Sequence, residues 1–140
     1  MKMSSIVRNS AKLVSPFLIT YGAYLIIHGH VSPGGGFQGG VILAVSIILL
    51  ITSHGYHAVR QKFRSTIIKT MESTSVILLI MLASLGVFGG SFFLNFLRGG
   101  TAGTLFSGGT VALVNIVIGF EVGAAFTLLF YMLLRRAERA

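Results

Sequence analysis

The sequence predicts an all-α membrane protein with four transmembrane helices, both termini cytoplasmic, and a Gly-rich extracytoplasmic turn between the first two helices. Three observations predict it. Of 140 residues, 54% are hydrophobic and only 10% are charged, with a mean hydropathy of +0.87, which is too apolar for a soluble domain of this size. Four apolar runs reach or approach the ~17–25 residues that a crossing helix needs. The basic residues gather at the ends of those runs: Lys2, Arg8 and Lys12 precede the first, Arg60, Lys62, Arg64 and Lys69 separate the second from the third, and Arg135, Arg136 and Arg139 follow the fourth.

Only Arg98 falls on the opposite side, so the basic-residue count places both ends of the chain in the cytoplasm. The net charge of +8 is therefore read as a positive-inside pattern facing anionic membrane lipids rather than as a nucleic-acid footprint, since no nucleic-acid-binding motif accompanies it. Without cysteine there are no disulfides and no thiol chemistry.

The chain reads as one transmembrane domain over residues 1–140, with helices at about 13–31, 36–53, 73–97 and 110–134. Residues 1–12 read as a cytoplasmic amphipathic start and not as a removed leader, because no small-residue cleavage site follows. Pro16 then falls in the first turns of the first span, where a missing N–H costs least.

A loop from about Ser53 to Met71 follows the second span, and Glu72, Ser73 and Thr74 look like the start of the third. Glu72 is expected to pair with Lys69, and His54 and His57 are expected to anchor the interface beside Tyr56. A second Gly-rich connection, Gly99 to Gly109, leads to the fourth span, which ends at Arg135 and Arg136.

The stretch His28 to Gly40, His-Gly-His-Val-Ser-Pro-Gly-Gly-Gly-Phe-Gln-Gly-Gly, is the least generic part of the sequence. Ser32, Pro33, Gly34, Gly35, Gly36, Phe37, Gly39 and Gly40 suit a tight, broken or re-entrant turn packed against protein, because bare backbone in hydrocarbon costs several kcal/mol per group. Exposed carbonyls at such breaks can coordinate cations; the alternative is a close-packed turn that lets helices approach. Gln38 is the amide available to satisfy backbone groups there. Gly34, Gly36 and Gly39 match G-x-G-x-x-G formally, but no strand, βαβ unit or following acidic residue supports a dinucleotide site.

Glu121 is the sharpest single residue. It is one of three acidic residues and lies near the middle of the fourth span, where an acidic side chain costs about 2.5–3.5 kcal/mol to insert. Such groups face a bundle interior or a wet cavity and mark proton or cation routes; the alternative is a protonated carboxyl acting as interhelical glue. Gly119 and Gly123 form a small-xxx-small pair about 200° around the helix from Glu121, and Gly86 and Gly90 form another on the third span, so both pairs are expected to pack helices. His28 and His30 are candidates for protonation near the outer surface. With no cysteine and no third histidine nearby, no metal site is expected.

The string from His28 to Gly40, together with Phe106-Ser-Gly-Gly-Thr110, Asn115 and Ile118-Gly-Phe-Glu-Val-Gly-Ala124, resembles the MnhB/MrpB family over essentially the whole chain. These are the B-type subunits of the bacterial Mrp multisubunit Na⁺/H⁺ antiporter, related to membrane segments of energy-converting hydrogenases. The resemblance implies a transporter subunit and not an enzyme, without a cofactor, in a hetero-oligomeric complex of the bacterial cytoplasmic membrane. Its partners would be the other subunits and membrane lipids, with Na⁺ and H⁺ as transported ions and no nucleic acid.

Glu121, His28, His30 and Gln38 are the ion- or proton-pathway candidates, with no catalytic residue among them. Two further readings stay open. The chain could be a structural adaptor whose small-residue faces lock partner subunits together, or an autonomous four-helix proton-coupled transporter working as a homodimer.

Overall fold

A computed structural model describes residues 3–31, 34–97, 100–101, 103–104 and 107–137, with the Lys62 side chain left aside. Among these residues the chain is helical throughout its regular structure: α1 (Ser5–His28), α2 (Gly36–His54), α3 (Tyr56–Lys62), α4 (Ser65–Val87) and α5 (Thr110–Ala137). α1, α2, α4 and α5 are each long and apolar enough to cross a membrane. The shortest, α2, has 19 residues and is about 28 Å long, close to a hydrocarbon core of about 30 Å. The chain is a multi-pass membrane protein.

α1 begins eight residues before the expected Leu13, at Ser5. Ser4 supplies the reason: its hydroxyl accepts from the Val7 N–H at 3.4 Å and caps the helix. Arg8 and Lys12 are thus on the helix, and Pro16 lies in its interior rather than in its first turns. There the proline removes a donor to the residue-12 carbonyl, a defect that membrane helices tolerate when neighbouring groups compensate.

The four long helices pack in the order α1, α2, α5, α4, and α1 also reaches α5. α2 packs against both α1 and α5, whereas α4 packs mainly on α5. The seams are made of glycine. A Cβ on Gly22 of α1 would sit 3.0 Å from the Gly39 carbonyl oxygen of α2, and a Cβ on Gly39 would sit 2.7 Å from the Gly22 oxygen. On the other side of α2, a Cβ on Gly40 would lie 2.5 Å from the Gly119 oxygen of α5. The Ile26 side chain, 3% exposed, fills the junction and contacts both Gly39 and Gly119. Three backbones approach this closely only where side chains are absent.

The segment expected as a loop up to Met71 is mostly helix. α2 ends at Gly55, whose φ of +92° suits glycine and whose N–H donates to the Ile51 carbonyl at 2.8 Å. α3 follows at once, and α4 starts at Ser65, so Glu72, Ser73 and Thr74 are helix interior and not a helix start. A cluster of Ile51, Tyr56, Val59, Ile68, Ala124, Leu128 and Tyr131 ties α3 to its neighbours. The Tyr131 hydroxyl donates to the Phe63 carbonyl at 3.0 Å, and its ring meets Tyr56 edge-on at 5.5 Å.

α4 ends at Val87, ten residues before the expected Leu97. Gly86 packs against the chain that folds back over it, where its Cβ would come within 2.5 Å of the Leu94 N, and Gly90 has φ +97° with open space around it. The expected Gly86–Gly90 helix-packing pair is therefore a helix terminus. Asn95 then takes over: its Oδ1 accepts from the Thr110 N–H at 2.9 Å and its Nδ2 donates to the Gly108 carbonyl at 3.4 Å, which fixes the start of α5.

Candidate functional site

The first turn of α2 rests on the backbone of α5. Gly35, extended at φ −165° and ψ −179°, carries no side-chain cap, and the orphan N–H of Gly36 donates instead to Asn115 Oδ1 at 3.2 Å. Asn115 reaches the end of α1 as well, since a Cβ on Gly29 would meet its Nδ2 at 2.6 Å. A Cβ on Gly36 would overlap the Asn115 carbonyl oxygen. One amide on α5 thus sits under the connection between α1 and α2.

Gly36, Phe37, Gln38, Gly39 and Gly40, expected both as turn residues and as the start of the second helix, open α2 at the expected residue 36. One expectation is corrected: among the described residues the amide that accepts from this backbone is Asn115, while Gln38 is exposed. Ser32 and Pro33 lie outside the described residues; Gly34 has φ +148° and Gly35 is extended. Phe37 is 56% exposed and meets Phe126 edge-on at 6.4 Å. An asparagine inside an otherwise apolar helix was the available signal for Asn115, because an amide there needs a partner.

The two candidate histidines diverge. His28 stacks on Tyr24 at 4.3 Å, and its Nδ1 donates to the Tyr24 carbonyl at 3.2 Å. The His30 ring lies against Gly108, where a Cβ would come within 2.6 Å of its Cδ2, and its Nε2 donates to the Thr104 carbonyl at 3.3 Å. Since a carbonyl only accepts, Nε2 carries the hydrogen. His30 therefore fastens the α1–α2 connection to the segment before α5.

Glu121 is half-buried and, among the described residues, forms no hydrogen bond or ion pair. On α5, Gly119 faces Ile26 of α1 and Gly123 faces Gly40 and Leu43 of α2, and Glu121 points about 200° from Gly119. It shares a face with Ala125 one turn on, and Ala125 lines a groove of about 620 Å³ with Lys69, Glu72 and Ser73 of α4 and Leu129 and Met132 of α5. The carboxyl thus belongs to the α4 side of α5, in line with a groove whose far end is polar. Lys69 and Glu72 both line that end, but the ion pair expected between them does not form among the described residues. No cluster of three metal-ligating residues occurs among the described residues.

A family model described as a domain related to the MnhB subunit of Na⁺/H⁺ antiporter matches residues 6–128. The chain belongs to this MnhB-related family. Among its MnhB-related relatives, the B-type subunit of the Na⁺/H⁺ antiporter of Bacillus subtilis is 42% identical over 55 residues, 39% of this chain and 38% of that protein. A putative antiporter subunit, mnhB2, of Staphylococcus haemolyticus is 35% identical over 89 residues, 64% of this chain and 62% of that one.

An uncharacterized protein of Methanocaldococcus jannaschii is 27% identical over 127 residues, covering 86% of this chain and 48% of its own length. The MnhB-related chain thus spans between 38% and 62% of the length of these three relatives. In three dimensions it resembles a chain from the membrane-bound sulfane sulfur reductase, an archaeal respiratory membrane complex, with a TM-score of 0.73 and 27% identity, covering 91% of this chain and 56% of that one.

Proposed function

We propose that this chain is a subunit of a multisubunit Na⁺/H⁺ antiporter complex in the cytoplasmic membrane, and that Glu121 belongs to the route taken by protons or cations. The observation that carries the site is Glu121 itself, a half-buried carboxyl in the middle of a membrane helix with no partner among the described residues. An acidic group in that position needs either a partner from another subunit or water in a pathway. The relatives named as antiporter subunits and the fold shared with a respiratory membrane complex support the multisubunit reading.

The adaptor reading rests on small-residue faces, and of these Gly119 and Gly123 contact Ile26 and Gly40 within the chain while Gly86 and Gly90 lie at the end of α4, which favours the transport reading over it. Asn115 and the glycines around it then hold the frame from which Glu121 projects on the opposite face of α5.

The test is Glu121→Gln in the assembled complex, with Na⁺/H⁺ antiport measured in inside-out vesicles and assembly checked by co-purification. We expect assembly to persist and antiport to fall about tenfold or more, in keeping with loss of a relay carboxyl. Wild-type antiport in that variant would return Glu121 to a structural role. Antiport by the purified single chain in liposomes would favour the autonomous transporter instead.

A further inference from the structure

The corner between α3 and the start of α4 holds a basic cavity that the antiport reading does not use. It measures about 340 Å³ and is lined by His57, Arg60, Gln61, Arg64, Ser65 and Thr66. Arg60 lies 5.5 Å over the Tyr56 ring, which holds its guanidinium at the cavity, and Arg64 is the N-cap residue of α4. No side chain caps that helix, so its first N–H groups have no partner within the helix and add positive potential beside the two guanidinium groups. None of the lining residues is acidic.

Two apolar grooves start from this cavity. Thr66 also lines a groove of about 470 Å³ that runs along α4 past Ile67, Thr70 and Met71 to Thr74 and Phe120. Arg64 also lines a second groove of about 180 Å³, between α2, α4 and α5, with Leu43, Ile47 and Phe63 on its walls. Ile67, Met71 and Phe120 line both and so form the ridge between them. The polar cavity stands at the start of α4, a membrane-crossing helix, and the grooves extend along α4 into the span.

We infer that this corner binds one anionic phospholipid. Its phosphate sits between Arg60, Arg64 and the start of α4, and its two acyl chains lie on either side of the Ile67–Met71 ridge. A free phosphate would use the cavity but leave the grooves, and a purely apolar partner helix would use the grooves but leave two guanidinium groups without a counter-charge. A two-chain anionic lipid matches all three spaces at once. This holds whether or not Glu121 carries ions.

The test uses the full-length chain and the assembled complex in phosphatidylcholine nanodiscs titrated with phosphatidylglycerol, with bound lipid counted by native mass spectrometry. The wild type should retain one phosphatidylglycerol per chain. The Arg60→Gln/Arg64→Gln pair should weaken retention about tenfold or more, as expected for losing charge-assisted hydrogen bonds. Arg60→Lys/Arg64→Lys should keep most of it, and Lys12→Gln, on α1 away from the cavity, should change nothing. Ile67→Trp, at an exposed ridge position, should reduce lipid retention without altering folding.

Four results would overturn the inference. They are equal retention in the double glutamine variant, displacement of the lipid by millimolar inorganic phosphate, retention unaffected by Ile67→Trp, and retention by the isolated chain but not by the complex. The last would mean that another subunit covers the corner.

Discussion

At Gly36 there is room for a hydrogen and nothing more, because the Asn115 carbonyl oxygen lies where a Cβ would go. Gly36→Ala should therefore force α2 off α5 and cost several kcal/mol, as overpacked backbone contacts do. Thermal unfolding in detergent should show it, and a melting point within a degree of wild type would contradict it. Asn115→Ala removes the acceptor for the Gly36 N–H, at a cost of about 1–3 kcal/mol for a buried donor left unpaired. At a pH low enough to keep the new carboxyl protonated, Asn115→Asp retains an acceptor and should lose less, which separates hydrogen bonding from shape.

This residue was half-visible in the sequence. An asparagine in an apolar run announces a need for a partner, but nothing local says that the partner lies 79 residues earlier. The glycines were legible as close-approach positions, whereas their partners were not, since Gly22 meeting Gly39 and Gly40 meeting Gly119 depend on the register of three helices.

Among the helices, the spans were easy to find and their ends were not. The start of α2 at Gly36 follows from crossing length alone. The start of α4 at Ser65 was hidden because Arg64 and Lys69 read as loop, while long basic side chains on a helix can carry their charge to the interface. Glu72, Ser73 and Thr74 imitate a helix start although they lie in its third turn. The end of α4 depends on the chain folding back so that Leu94 covers Gly86, a contact with no periodic signal.

α3 is held by specific contacts rather than by length. Its seven residues are too few to be stable alone, and the bond from Tyr131 to the Phe63 carbonyl fixes its end. Tyr131→Phe should leave that carbonyl unpaired and lower stability by about 1 kcal/mol, with cleavage after Arg60 or Arg64 by trypsin becoming faster. An unchanged cleavage rate would show that the aromatic contact with Tyr56 suffices.

The molecule as a whole is unevenly supported. α2 lies between two neighbours and α4 mainly against one, and the most apolar stretch of α2 is 39% buried against 22% for α4. Hydrogen exchange on the isolated chain in nanodiscs should therefore protect α2 more strongly than α4. Adding the remaining subunits should raise protection along α4 if the α4–α5 groove beside Glu121 faces a neighbour. No change in α4 would mean that this side faces lipid.

The bond from Gly36 to Asn115 also orders events during synthesis. While the ribosome is still making the middle of the chain, α1 and α2 can insert as a pair, but the amide that fixes the beginning of α2 does not yet exist. That beginning must wait, loosely held at the translocon, until the last span arrives. Arrested chains stopped before residue 115 should leave an engineered cysteine at Gly35, where a Cβ has room, open to water-borne labelling reagents, and full-length chains should protect it.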